Sequence, residues 1–303
     1  MLKVDRWVPY FGNQARQLDF VMEGLSELGL GKGSIIGETN SGSHAVSTFL
    51  TTKGFNVLAN DISTYSYLLG LSFMQPAKGG DFVKSLHPKL DVTRQHFPKH
   101  GAFIYKQQVA AMENVVHMAA LACAIVSSMG FELNEDAFSE AEFHTEYTRF
   151  KQFLSKQDFN KKAGLVSRSD LFDFLSSTKG DVAYMDFAWP WRSGEVTQEY
   201  TVMVDKLSTV LVGESCTYEG WDHTNILQNV VKAVKTAQVN YKWVLLSNQS
   251  SNCPTHEALL EYLLENDLVP VVMKTRTVEA EDVDNRLRDR WFTEYQYIIK
   301  GCE

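Results

Sequence analysis

The stretch Asp181-Val-Ala-Tyr-Met-Asp-Phe-Ala-Trp-Pro-Trp191 ends a short apolar run on a carboxylate, and aromatic residues follow at once. Two arrangements suit such a pattern. In one, a strand ends in a structural turn whose aromatics cap the core. In the other, a flat ring lies against an indole while Asp186 holds its polar edge. Two further stretches have types and spacing that suit ligand chemistry. Ser41-Gly42-Ser43 follows a short apolar run, and Asp61 ends a second one after an intervening helical segment. A strand-end aspartate is commonly a cap or turn former. Its spacing here is also that of an acidic residue hydrogen-bonded to ribose hydroxyls. The three features taken together, in chain order, carry more than any one of them.

Other groupings do not carry chemistry. Gly29, Gly31 and Gly33 precede a strand instead of following one, and no Gly-Lys-Ser/Thr occurs, so they are no phosphate loop. Cys253-Pro-Thr-His256 and His96-Phe-Pro-Lys-His100 each resemble half a metal site without a second half, and no metal is expected. The four cysteines are widely scattered, which points to a reducing compartment and no disulfide framework.

The elements that must position these residues follow from periodicity. Residues 13–28 place Leu18, Val21, Met22 and Leu25 on one helical face. Ser34–Gly37 then reads as a buried strand. A loop and helix lead into a second strand ending at Asn60-Asp61, and a helix follows over Thr64–Met74. Strand–loop–helix–strand over about 30 residues is the first half of a doubly wound α/β sheet. Strands are expected again at Asp181–Asp186 and Trp243–Ser247, helices at Gln198–Val212 and His256–Asn266, and a closing hairpin at Leu268–Lys274 and Tyr295–Lys300. Between them, residues 76–169 read as a mostly helical insertion, with one long helical pattern over Gln107–Met129. In an open parallel sheet, ligands sit beyond the carboxyl ends of the strands, where all three features fall.

Composition bounds the partners. The chain has 303 residues, 44% hydrophobic and 22% charged, with a net charge of −8. That suits a soluble globular protein and argues against a general nucleic-acid binder. No apolar stretch is long enough to span a bilayer, and no secretory leader is evident. The charge is uneven: residues 132–146 carry six acids and no Lys or Arg. Arg149, Lys151, Lys156, Lys161, Lys162 and Arg168 then stand against one acid, Asp158. Such a run is a solvated helix face by default, or a strip that contacts phosphates, because local charge sets the field at a groove.

At this level of detail the chain resembles the Dam-like (class alpha) adenine-specific DNA methyltransferases, which use S-adenosylmethionine. The resemblance runs nearly end to end. Arg6-Trp-Val-Pro-Tyr-Phe-Gly-Asn13 is similar to that family's N-terminal cofactor segment. SGSHAVSTFLTTKGFNVLANDISTYSYLLG resembles its glycine loop, acidic strand end and flanking helices, and Asp186-Phe187-Ala188-Trp189 stands where the family has Asp-Pro-Pro-Tyr. KWVLLSNQSS and TEYQYIIKG resemble its downstream strands. The departures concentrate at the cofactor side. The family's Phe-x-Gly-x-Gly is here Asn40-Ser41-Gly42-Ser43-His44, and the lysine that commonly follows Gly-Asn is Gln14. A side chain in place of that second glycine is expected to crowd a cofactor.

The resemblance implies a Rossmann-like α/β domain from residues 1–75 and 170–303. It implies a target-recognition insertion at 76–169. The cofactor would be S-adenosylmethionine, held by Tyr10, Gly12, Asn13, Ser41, Gly42, Ser43, Asp61 and Ile62. Adenine's exocyclic amine is a poor nucleophile because its lone pair is delocalised into the ring. Asp186 and the Phe187 carbonyl would accept its hydrogens and aim the lone pair, with Ala188 in the turn and Trp189 stacked on the flipped base. Lys151, Lys161, Lys162 and Arg168 would meet phosphates of double-stranded DNA, in the cytoplasm of a prokaryote or of a virus's host. Two other readings stay open. One is a non-catalytic subunit that keeps the fold and DNA groove and supports an active partner methyltransferase. The other keeps the cofactor and shifts the acceptor to another base or a small molecule.

Overall fold

A computed structural model describes residue 9 and residues 17–156, 164–190, 196–213, 221–279 and 291–301. Helix α1 (Leu18–Glu27) turns Phe20, Val21, Gly24 and Leu25 into the core. Strand β1 (Ile35–Glu38) follows, then α2 (Ala45–Thr52), β2 (Asn56–Asn60) and α3 (Thr64–Met74). Five helices come next: α4 (Pro76–Lys84), α5 (Leu90–His96), α6 (Gly101–Ala111), α7 (Val115–Met129) and α8 (Glu140–Ser155). The expected Gln107–Met129 helix is therefore broken in two, and Asn114 supplies the break. Its side chain caps α7 by accepting from the His117 amide at 3.0 Å.

The sheet resumes earlier than the sequence suggests. β3 (Gly164–Ser167) lies inside the stretch read as helical, and its four residues pair in parallel with β2. α9 (Leu171–Ser177), β4 (Gly180–Met185), α10 (Val196–Val212), α11 (Ile226–Gln238), β5 (Tyr241–Gln249), α12 (His256–Glu265), β6 (Pro270–Glu279) and β7 (Trp291–Lys300) complete the chain. The strands lie in the order β3-β2-β1-β4-β5-β7-β6. β1 to β5 are parallel, whereas β7 runs antiparallel between β5 and β6. This is the Rossmann-like α/β sheet expected. The chain leaves β1 toward β2 on one side and β4 pairs it on the other, so the crevice above β1 and β4 is the topological switch point.

Helices α1, α2, α3 and α10 cover one face of the sheet; α9, α11 and α12 cover the other. All eleven residues of α3 are buried. β3 and α10 pack against it together with α7 and α4, which explains why its sequence is apolar or small all round. α7 is nearly as enclosed, with an Ala- and Met-rich surface that lets α3 and α8 approach. The helices from α4 to α8 thus share one continuous apolar core with the sheet. No helix among the described residues is long and apolar enough to cross a membrane.

Candidate functional site

The crevice at the switch point is built from the carboxyl ends of β1, β2 and β4. β1 ends on Glu38, which is fully buried. Its Oε2 is in hydrogen-bond contact with the Ser47 hydroxyl of α2, and its Oε1 has no hydrogen-bond partner. Burial pushes the Glu38 carboxyl up to about 8, and the charges of Asp61 and Asp186 push the same way against hydrogen bonds from Ser47 and Ser41. Glu38 was not among the residues singled out from the sequence. A lone glutamate after two isoleucines and a glycine carries no motif, and only the strand assignment puts it at the crevice.

The loop from Thr39 to His44 is hydrogen-bonded downward onto β2 and β4. Thr39 N donates to Tyr184 O at 3.1 Å, Ser41 N to Asn60 O at 2.9 Å, and Gly42 N to Asp61 Oδ2 at 2.8 Å. Gly42 has φ +51, where a glycine is favoured. Asn60 ties the loop's floor to the end of β3, since its Oδ1 accepts from Ser169 N at 3.1 Å and from the Ser167 and Ser169 hydroxyls at 2.8 Å each. Asp61 also accepts from Ser63 N at 2.8 Å. Burial raises its carboxyl to about 6, opposed by hydrogen bonds from Ser63, Gly42, Ser66 and Ile62. Asp61 therefore holds the glycine loop to the start of α3. The expectation that it faces a ribose is met by a carboxylate whose acceptor positions are turned to its own chain. Ile62, next to it, is half-buried; Ser41 and Ser43 are buried.

His44 corrects a second expectation. It takes a left-handed backbone conformation (φ 61°, ψ 23°), and it is fully buried. Its imidazole does not rise into the crevice. It points down between α2 and α3, with Nε2 at 2.9 Å from Ser66 O and Nδ1 at 3.3 Å from Ser47 Oγ. Room for the ring comes from Gly70, where a Cβ would lie 2.5 Å from the imidazole.

The turn after β4 is folded inward. Asp186 is half-buried and accepts from the Trp189 indole N–H at 3.3 Å. The Phe187 carbonyl accepts from Trp189 N at 2.8 Å, so the oxygen expected to take an amine hydrogen already has a donor. Trp189 is only 5% exposed and Phe187 6%. Both lie in the core shared with α11 and α12, where Phe187 packs on Trp189 and on Trp221; Ala188 is half-buried and packs against the core on the other face. The open indole face expected from the sequence is thus a core-capping indole, the other of the two arrangements the residues allowed. Cys253 N donates to Pro190 O at 2.7 Å and fastens this turn to the loop after β5.

The two described basic residues of those expected to meet phosphates lie at different elements. Lys151 lies on α8 with its ammonium 5.7 Å from the Tyr147 ring centre. Arg168 turns inward, donating to Thr64 Oγ1 at 2.7 Å and lying over Phe82. Tyr10, Gly12, Asn13, Lys161 and Lys162 lie outside the described residues.

The amino-acid end of S-adenosylmethionine carries an ammonium, and Glu38 offers a buried carboxyl oxygen with no partner, so this end fits. Beside Glu38, the negative charges of Asp61 and Asp186 also favour a cation.

No protein-family model and no curated protein matches this sequence. Several solved structures are similar in fold. A candidate RNA methyltransferase of Pyrococcus horikoshii is 8% identical, over 98% of this chain and 90% of that one, with a TM-score of 0.40. The magnesium protoporphyrin IX methyltransferase of Synechocystis PCC 6803, with SAM bound, is 10% identical over 95% of this chain and 80% of its own, with a TM-score of 0.36. Precorrin-6y C5,15-methyltransferase of Geobacter metallireducens is 10% identical over 92% and 88%, with a TM-score of 0.32.

Proposed function

We propose that this chain is an S-adenosylmethionine-dependent methyltransferase that places an acceptor amine against Asp186, with adenine in double-stranded DNA as the acceptor. The observation that carries the reading is the set of carboxyls at the switch point of the sheet, above all the buried Glu38 oxygen that has no hydrogen-bond partner. When bound, the cofactor supplies an electrophilic methyl group. Glu38 holds the ammonium end, and Asp61 keeps the loop from Ser41 to Ser43 in the shape that surrounds it. Asp186 accepts a hydrogen of the acceptor amine, which localises the nitrogen lone pair and aims it. The Phe187 carbonyl accepts from Trp189 N and keeps a second lone pair that a hydrogen of the ring amine would take.

That inward fold of the turn also favours a second reading. A subunit that binds DNA and supports an active partner needs no open indole and no free Phe187 carbonyl. Calorimetry of the purified chain with S-adenosylmethionine, followed by transfer of labelled methyl to unmethylated DNA, separates the two. The first reading expects binding and transfer, with Asp186→Ala keeping the binding heat and losing about a hundredfold in rate through lost positioning. No heat and no label from the chain alone, both restored by a co-purifying second subunit, would sink it. Transfer to RNA or to a small amine instead would keep the cofactor and move the acceptor.

A further inference from the structure

Under the glycine loop, one imidazole joins the two strand-end acids through two serines. On one side Ser47 Oγ contacts both His44 Nδ1 and Glu38 Oε2. On the other, His44 Nε2 lies 2.9 Å from Ser66 O and 3.3 Å from Ser66 Oγ, and the Ser66 hydroxyl bonds to Asp61. The polarity of this chain can be worked out by counting hydrogens. A carbonyl only accepts, so Nε2 carries a hydrogen and donates it to Ser66 O. In a neutral ring, Nδ1 is then an acceptor, and the hydroxyl that reaches it is that of Ser47. A serine has one hydrogen to give. Once it goes to Nδ1, the contact between Ser47 Oγ and Glu38 Oε2 is a hydrogen bond only if Glu38 is the donor.

Two other patterns have Ser47 donate to a Glu38 carboxylate, with Nδ1 either protonated or bare. The first requires a charged ring in a fully buried position, where burial holds the His44 imidazole down to about 4. The second leaves a buried ring nitrogen without a donor and a carboxylate beside two further acids. The charges that bear on Glu38 among the described residues are Asp61 from β2 and Asp186 from β4, both negative; Tyr184 of β4 is a neutral neighbour. Arg168, at the end of β3, is engaged with Thr64 instead.

We propose that Glu38 stands as a neutral carboxylic acid in the ligand-free protein and gives its proton to solution when an ammonium group pairs with its unpartnered oxygen, so that filling this site releases a proton. The inference rests on the reading that the crevice takes the amino-acid end of S-adenosylmethionine. In the exchange, the O–H bond of Glu38 breaks and its proton leaves to water. The resulting carboxylate pairs with the incoming ammonium, and the Ser47 hydroxyl rotates from Nδ1 to Glu38. His44 is the positioning residue: by drawing the Ser47 hydrogen toward itself, it denies that hydrogen to Glu38 until the ligand arrives.

Two measurements decide this. Infrared difference spectra between wild type and Glu38→Gln should contain a protonated-carboxyl carbonyl band at about pH 6.5 that disappears as the pH passes about 8. His44→Gly frees the Ser47 hydrogen and should move that loss to lower pH. Calorimetry with S-adenosylhomocysteine, whose ammonium is fully charged at about pH 6.5, is then run in buffers of different ionisation enthalpy. About one proton should be released per ligand in wild type and none in Glu38→Gln. Absence of the band at about pH 6.5, or binding heats that do not depend on buffer, overturns the proposal. A titrating band with no binding heat supports the neutral acid and instead overturns the reading of the ligand.

Discussion

His44 and Gly70 are a fitted pair. The histidine occupies a left-handed position that costs an L-residue about 1–2 kcal/mol. It is retained by the hydrogen bonds of its ring and by a bed that only a glycine leaves open. Gly70→Ala would set a Cβ 2.5 Å from the imidazole and 2.8 Å from Val166 Cγ1. Overpacking of this kind should lower the unfolding free energy by about 1–3 kcal/mol. In a double-mutant cycle measured by chemical denaturation, His44→Gly should restore much of what Gly70→Ala loses. Additive losses would show that the two do not share the space. The sequence makes the exchange of glycine for histidine visible, but not its direction. That depends on a glycine one turn inside another helix, and spacing along a single element cannot reveal it. Trp189 shows the same limit. Its neighbourhood suited both a stacking face and a core cap, and the choice lay with the core residues of α11 and α12, remote in the chain.

At the scale of elements, the strands that flank the site were legible because each is a short apolar run closed by a polar residue, as at Asn60-Asp61 and Met185-Asp186. β3 was not. Four residues, Gly164 to Ser167, offer no periodicity of their own, and the strand exists because β2 presents an open edge to it. Its presence moves the end of the helical stretch back from residue 169. The breadth of the apolar surface on α7 was legible too, and the structure gives its cause in the helices stacked on both sides. Leu121, fully buried on α7, is therefore a fair probe of that stacking. Leu121→Ala should cost about 2–5 kcal/mol. Because α7 and the sheet share one core, denaturation should remain a single transition whose midpoint falls. A separate early transition, with the sheet's midpoint unchanged, would mean that the helical layer folds as an independent unit.

For the whole molecule, the buried titrating groups set how stability depends on pH. Glu38 is raised from 4.5 to about 8, so over that interval the native state binds more protons than the unfolded chain, and stability falls as the pH rises. Asp61, raised from 3.8 to about 6, acts in the same direction over a lower range. His44, lowered from 6.5 to about 4, acts oppositely: its contribution is present above 6.5 and is lost as the pH falls toward 4. The window from about 6.5 to 8 is therefore dominated by Glu38. Denaturation midpoints in wild type should decline across it, and Glu38→Gln should flatten the decline. A wild-type profile that rises through that window would contradict a buried neutral acid.

The sheathing of α3 has a consequence for how the molecule breathes. Thr64 to Met74 has no side open to water, and its first residues carry the Ser63 and Ser66 contacts that steady Asp61. Peripheral helices such as α12 can fray alone, but deuterium reaches the amides of α3 only through openings that dismantle the layers on both sides of it. The amides of α3 should therefore exchange more slowly than those of α12, so that the crevice is floored by a helix that opens only with the layers around it.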